Sequence, residues 1–253
     1  MVKDKGLYCP VCNSPCALHD VVDFNKSCEE RRGTFLPLSG IPIYYALCGQ
    51  CGFCFAPEIY TWTLDEFAAR IYNAEYVLVD PEYLESRPRD TAISLNALLG
   101  RISASIRHVD YGGGNGMLAK ALRELGWNST SYDPFVDKGV DPMQLGRFDL
   151  VTAFEVFEHV PDVRKLVVDL QSLLSPNGLV FFSTVVSDGS IAPGQRLTWW
   201  YASPRNGHIS LFSRKSLNVL AHNSGFKFAS FSPGAHAFFA DVSPWASHIV
   251  RTT

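Results

Sequence analysis

Asp110-Tyr111-Gly112-Gly113-Gly114-Asn115-Gly116 joins an acidic residue to glycines at every second position. Glycine has no Cβ, so backbone N–H groups can approach a ligand closely. A strand that feeds such a turn into a helix makes a site for a nucleotide-like molecule. The spacing departs from the Gly-x-Gly-x-x-Gly of dinucleotide turns, because Met117 stands where the third glycine would be. Asp133 follows Gly114 by 19 residues. It falls at the expected end of a second strand, where a carboxylate can accept hydrogen bonds from both hydroxyls of a ribose.

A second set is Glu155-x-x-Glu158-His159, with His208 further on. Read as one helical turn, positions 155, 158 and 159 share a face. Two carboxylates and an imidazole on that face suit a divalent ion, with His208 as a fourth ligand. Such ligation admits magnesium, manganese, iron or zinc. Without an ion, His159 or His208 can act as a general base near neutral pH. A third reading gives the group no chemistry: Glu158 and His159 then only cap the helix that follows.

The third set is cysteine. All seven cysteines fall in the first 54 residues, and Cys9-Pro-Val-Cys12 and Cys48-Gly-Gln-Cys51 form two Cys-x-x-Cys pairs. Four thiolates in two such pairs suit tetrahedral zinc, and Pro10, Gly49 and Gly52 fit the tight turns required. The alternatives are buried free thiols, or an iron–sulfur site on Cys48, Cys51 and Cys54 that would leave Cys9 and Cys12 idle. Cys16 and Cys28 read as spectators. A segment this small has little core of its own, so metal binding would supply its folding energy.

These groups need particular elements to position them. Strands are expected at 41–47 and 53–56 beside the cysteines, then at 106–111 before the glycine turn, at 148–154, 179–186, 226–231 and 235–240. Thr63-Leu64-Asp65-Glu66 has the capping-box pattern, so a helix should start after Thr63 and end near Tyr72. Pro81 and Pro88 should break the chain. Ile93, Leu95, Leu98, Leu99 and Ile102 recur at helical spacing, which predicts a helix over 91–106. Further helices are expected at 117–125, from the 160s to Leu174, and at 214–223, the last ending at Gly225. The stretch 187–207 is long for a loop and reads as a lid or binding loop. Its Trp199-Trp200-Tyr201 either stacks on an acceptor or buries the loop. Trp200, Tyr201, Arg205 and Asn206 are the candidate acceptor contacts. His108 reads as structural.

The glycine turn, Ser131-Tyr132-Asp133-Pro134, the Phe148-Asp149-Leu150-Val151 strand, Glu155 to Asp162 and the Leu174-Ser175-Pro176-Asn177-Gly178-Leu179 turn together resemble class I S-adenosylmethionine-dependent methyltransferases over about residues 93–240. The resemblance implies an α/β fold: a Rossmann-like, doubly wound, mostly parallel sheet of the seven-stranded type. Here it should be shortened at the third strand, because the interval from Asp133 to Phe148 is too short for a helix and a strand. The resemblance also implies that Asp110, Gly112, Gly113, Gly114 and Gly116 hold the methionine end of the cofactor. Asp133 and Pro134 would meet its ribose, and Phe154 and Glu155 would border it. Asp141, Pro142 and Met143 are candidates for the adenine pocket. The Glu-x-x-Glu-His…His pattern is similar to that of metal-assisted O-methyltransferases, notably ubiquinone-pathway enzymes and small-RNA 2′-O-methyltransferases. That similarity implies Glu155, Glu158, His159 and His208 as ligands.

The expected organisation is a zinc-ribbon segment (1–60), a helical linker (61–92) and a methyltransferase domain (93–253). A hydrophobic fraction of 47% supplies a globular core. A net charge of −3 without a long basic run argues against a nucleic-acid partner. Lys3/Lys5 and Arg31/Arg32 read as solvated pairs. No apolar region follows the first five residues, and no apolar run approaches the ~20 residues of a membrane span, so a cytoplasmic location without membrane contact is expected. The expected activity is methylation of a hydroxyl on a saccharide or other small molecule, because a ribbon joined to this domain resembles bacterial sugar-modifying methyltransferases. The alternatives are an RNA methyltransferase gripping nucleic acid with the ribbon, a C-methyltransferase acting on a nucleotide sugar, or a non-catalytic cofactor-binding scaffold.

Overall fold

The computed structural model describes residues 6–250; Lys3 and Lys5 lie outside the described residues. In chain order the strands are β1 (Ala17–Asp23), β2 (Pro42–Leu47), β3 (Cys54–Phe55), β4 (Arg107–Tyr111), β5 (Asn128–Tyr132), β6 (Phe148–Ala153), β7 (Leu174–Ser183), β8 (Ser210–Leu211), β9 (Lys227–Ser230) and β10 (Ala235–Phe239). The α-helices are α1 (Leu64–Arg70), α2 (Ser86–Leu99), α3 (Met117–Glu124), α4 (Val163–Leu173) and α5 (Arg214–Asn223). The chain divides into two compact units. One gathers the described residues through 80 with 158–164 and 185–220; the other gathers 81–157, 165–184 and the described residues from 221 on.

The first unit is built on an antiparallel sheet in the order β1-β2-β3-β8. This division differs from the expected boundaries at 60 and 92. Long-range pairing is the reason: β8 closes the ribbon sheet, with Cys54 opposite Leu211 and Phe55 opposite Ser210. The backbone N–H of Ile209 donates to the Glu158 carbonyl at 2.9 Å, and the Ser210 hydroxyl donates to the Val160 carbonyl at 2.9 Å. The expected loop 187–207 is therefore followed by a strand of this sheet. Stacked Phe53 and Phe55 and the tilted Phe53–Phe212 pair fill its interior. Helix α1 starts where the capping box predicts: the Thr63 hydroxyl accepts from the Glu66 N–H, and Glu66 accepts from the Thr63 N–H. It ends at Arg70, ahead of the expected Tyr72.

The second unit carries a sheet in the order β5-β4-β6-β7-β10-β9. Strands β5, β4, β6 and β7 are parallel, and β10 runs antiparallel to both β7 and β9. The chain winds outward from β4 to β5, returns to β6 and winds the other way, so the order reverses between β4 and β6 in a doubly wound sheet. A short 3-10 turn, Pro142–Leu145, occupies the interval where the third strand of the family pattern would lie. The core on one face joins Ala92, Leu95 and Leu99 of α2 to Leu118 and Leu122 of α3, Trp127, and Leu150, Leu179 and Phe239 of the sheet.

Two expectations need correction here. Helix α2 covers Ser86–Leu99 instead of 91–106, and Pro88 does not break it. Pro88 sits in the first turn, where its missing N–H would have no intrahelical partner, so its ring costs little. The Ser175-Pro176-Asn177-Gly178 turn is not outside a strand; β7 begins at Leu174, and the register against β6 jumps from Phe148↔Leu174 to Leu150↔Leu179. The turn is absorbed as a bulge, with Asn177 at φ 60. Among the described residues, no helix is long and apolar enough to cross a membrane.

Candidate functional site

Strand β4 lies between β5 and β6, so its residues are buried and Asp110 is only 4% exposed. Asp110 faces Thr152 across the register, and the Thr152 hydroxyl donates to Asp110 Oδ1 at 2.8 Å. Burial pushes the Asp110 carboxyl up to about 7. His108, two residues earlier, lies 2.9 Å by Nε2 from the same Thr152 oxygen and 2.7 Å by Nδ1 from Ser129 Oγ. The single hydroxyl proton of Thr152 points at Asp110, so His108 must donate through Nε2 and accept through Nδ1. Burial lowers His108 to about 3, and the imidazole is neutral.

The glycine turn follows directly. The N–H groups of Gly112 and Gly113 donate to the Tyr132 carbonyl at 2.8 and 3.3 Å. The Gly114 N–H donates to Asp133 Oδ2 at 2.9 Å, while Asp133 Oδ1 accepts from the N–H groups of Phe135 and Val136 at 2.7 and 3.3 Å. A Cβ on Gly113 would collide with Ser131 Oγ and lie 2.6 Å from Asp110 Oδ2. One on Gly112, at φ +75, would lie 2.5 Å from Val156 Cγ2. Only bare backbone fits, and two carboxylates are fixed beside it at the C-terminal ends of β4 and β5. Of the remaining expected cofactor residues, Phe154 packs edge-on against Phe181, with ring centroids 5.7 Å apart. Pro134 is half-buried. Asp141 caps the short 3-10 turn by accepting the Met143 N–H at 2.9 Å, and Met143 is exposed.

Glu155 overturns the expectation of one helical face. It has φ +55, a left-handed conformation that interrupts any helix there. The Ser183 hydroxyl accepts from the Glu155 N–H and donates to Glu155 Oε1, both at 2.8 Å. A separate 3-10 turn, Phe157–His159, carries the next two candidates.

In the first unit, Glu158, His159 and His208 each offer a ligand atom within 4.8 Å of the others. Glu155 is not part of this group of three. Glu158 is fully buried. The Tyr201 hydroxyl donates to Glu158 Oε1 at 2.6 Å. His208 Nδ1 lies 2.9 Å from the Tyr201 carbonyl; a carbonyl only accepts, so the proton sits on Nδ1 and Nε2 is the basic nitrogen. The His159 and His208 rings meet edge to face at 4.9 Å. A Cβ on Gly207, at φ +85, would lie 3.0 Å from His159 Nδ1, so glycine gives His159 its room. One carboxylate and two imidazoles so grouped suit zinc, iron or manganese better than magnesium.

The four cysteines of the two pairs also converge. Cys9, Cys12, Cys48 and Cys51 have their sulfurs within 4.8 Å of one another, with Cys9–Cys51 at 3.6 Å and Cys12–Cys48 at 3.5 Å. Sulfurs about 2.3 Å from a tetrahedral zinc stand roughly 3.8 Å apart, so the group fits the ion. Both pairs are built alike. The residue after the second cysteine is left-handed, Asn13 at φ 61 and Gly52 at φ 75. Its N–H donates to the carbonyl of the first cysteine at 2.9 Å in each case. Cys54 lies on β3 outside this group, and Cys9 and Cys12, which a Cys48-Cys51-Cys54 iron–sulfur site would leave idle, converge with Cys48 and Cys51.

The expected acceptor contacts are engaged elsewhere. Arg205 and Asn206 are 5% and 3% exposed. Arg205 donates to the Ile71 carbonyl at 3.1 Å and to Asn73 Oδ1 at 3.3 Å. Asn206 accepts the Cys28 N–H at 2.8 Å and donates to the Val79 carbonyl at 3.0 Å. Trp200 lies under the Arg31 guanidinium, 4.3 Å from its ring centroid, and edge-on to Tyr201. Sequence reasoning also missed Thr152, Ser183 and the link from Tyr201 to Glu158. None has a local signal, since each is defined by a partner on a distant strand or turn.

A family model described as a methyltransferase domain matches residues 83–231. The ubiquinone biosynthesis O-methyltransferase of Colwellia psychrerythraea is 31% identical over 104 residues, covering 30% of this chain and 41% of that protein. The enzyme of the same name from Pasteurella multocida is 41% identical over 78 residues, covering 31% of this chain and 27% of that protein. The chain thus spans less than half the length of either relative. The solved structure of the Burkholderia thailandensis 1,6-didemethyltoxoflavin-N1-methyltransferase, with bound 1,6-didemethyltoxoflavin and S-adenosylhomocysteine, is 18% identical, with a TM-score of 0.47 over 76% of this chain and 95% of that one.

Proposed function

Because the chain belongs to the class I S-adenosylmethionine-dependent methyltransferase family, we propose that it transfers a methyl group to a hydroxyl of a small acceptor. The observation that carries this reading is the cradle of bare backbone at 112–114 between the Asp110 and Asp133 carboxylates. Asp110, at the end of β4, meets the methionine end of the cofactor. Asp133 meets the ribose. Three backbone N–H groups already point at its carboxylate, and an ionised carboxylate has roughly four acceptor directions, so the ribose finds one strong acceptor there rather than the two expected. When bound, the cofactor supplies the electrophilic sulfonium methyl.

Glu158 and His159 follow the end of β6 in the chain by five and six residues. With His208 they form a group of one carboxylate and two imidazoles whose chemistry suits handling a hydroxyl proton. A divalent ion held by these three would supply Lewis acidity, making the hydroxyl more acidic. In its absence, Nε2 of His208 takes the proton, because Nδ1 is committed to Tyr201. Holding the acceptor oxygen in line with the methyl contributes most of the remaining rate. The relatives' names favour an oxygen acceptor, and a saccharide hydroxyl remains the first class to test. The four thiolates hold structural zinc.

The test is turnover of S-adenosylmethionine to S-adenosylhomocysteine with saccharide, phenolic and RNA acceptors, each with and without chelator. Hydroxyl methylation lost in His208→Ala supports the reading; methylation confined to amines or to RNA, or no turnover with tight cofactor binding, contradicts it.

A further inference from the structure

We propose that Tyr201 is a positioning residue for the Glu158–His159–His208 group, holding two of its members at once. Its hydroxyl donates to Glu158 Oε1 at 2.6 Å, and its backbone carbonyl accepts from His208 Nδ1 at 2.9 Å. The inference rests on the reading of that group as a divalent-ion site. It also replaces the acceptor-contact role that the sequence suggested for Tyr201.

The geometry leaves Tyr201 little else to do. It is 2% exposed, and its ring lies 4.1 Å from the His208 ring and 5.2 Å from Trp200. A buried ring of this kind cannot stack on an acceptor. Its phenol supplies one hydrogen-bond donor, and Glu158 Oε1 accepts it, so the hydroxyl orients the carboxylate. The carbonyl of the same residue sets the His208 tautomer and turns Nε2 toward ligand duty. Ligand-orienting hydrogen bonds of this kind change metal affinity by about 10- to 100-fold. Because one residue makes both bonds, Glu158 and His208 move together: a shift of the 201 backbone would displace both.

The test is Tyr201→Phe, which removes the hydroxyl but keeps the ring and the carbonyl. The control is Tyr45→Phe. Tyr45 is also buried in the same unit, and its hydroxyl donates at 2.7 Å to the His208 backbone carbonyl, not to a ligand side chain. Manganese binding is followed by electron paramagnetic resonance on the zinc-loaded protein. The expected result is manganese affinity weakened on the order of 10- to 100-fold in Tyr201→Phe, with Tyr45→Phe binding as wild type although both variants lose stability. Equal affinity in wild type and Tyr201→Phe, or equal losses in both variants, overturns the positioning role alone. Failure of the wild type itself to bind manganese overturns the divalent-ion reading and this inference with it. An independent measurement uses the unmutated protein, should Tyr201→Phe not fold. Substoichiometric manganese should broaden a slowly exchanging Tyr201 hydroxyl proton in the NMR spectrum; a resonance unaffected by manganese overturns the inference.

Discussion

Asp110 and His108 share Thr152, and burial moves them in opposite directions, which gives a pair of opposed pH dependences. Asp110 rises from 3.8 to about 7 in the folded protein. Between those values the unfolded chain has released the proton and the folded chain has kept it, so this group's contribution falls as pH rises, by about 4 kcal/mol at ~1.36 kcal/mol per unit. His108 drops from 6.5 to about 3. There the unfolded chain carries the extra proton, so its contribution climbs with pH, by about 5 kcal/mol. In the wild type the two nearly cancel from pH 4 to 6.5. Removing one partner should expose the other. The stability of Asp110→Asn minus that of wild type should rise with pH between about 4 and 7. The same difference for His108→Gln should fall between about 3 and 6.5. Urea unfolding of cofactor-free protein from pH 4.5 to 7.5 measures both, and taking differences cancels the groups common to each pair, zinc thiolates included. A flat or falling difference for Asp110→Asn would refute the argument that burial keeps this carboxyl protonated in the free protein.

Gly113→Ala should weaken S-adenosylhomocysteine binding by about 1–3 kcal/mol, or roughly 5- to 150-fold, because its methyl would crowd Ser131 and Asp110; calorimetry at unchanged circular dichroism checks this, and wild-type affinity would contradict it. Elemental analysis should find zinc at one atom per chain, lost in a Cys9→Ser/Cys48→Ser double variant; a zinc-free, fully folded preparation would contradict the four-thiolate site. Thr63→Ala removes the cap of α1 and should cost about 1 kcal/mol in chemical denaturation. Glu155→Ala should leave manganese affinity intact, since Glu155 is bonded to Ser183 outside the three-residue group.

The legible parts of the chain were those governed by local rules. The glycine turn announced itself because crowding by Ser131, Asp110 and Val156 excludes side chains. The Thr63 cap and the paired Cys-x-x-Cys motifs are written within a few residues. Asp133 was placed correctly at the end of β5, but the three backbone donors that occupy it were not visible. What stayed hidden depends on distant partners. Residues 210–211 read as part of the methyltransferase domain because two residues of strand carry no periodic signal, yet their pairing with β3 puts them in the ribbon sheet. Arg205 and Asn206 looked like acceptor contacts because they are polar and sit in a long loop; in the folded chain they satisfy buried carbonyls. Glu155 looked helical by spacing, and the strand-to-turn corner after β6 forced it left-handed instead.

The cradle at 110–116 is tested most directly by isothermal titration of the purified protein with S-adenosylhomocysteine and, separately, with a nicotinamide dinucleotide. One saturable site per chain for the former, abolished in Asp133→Ala, and no heat from the latter is the expected outcome. Uptake of the dinucleotide with indifference to S-adenosylhomocysteine would contradict the account.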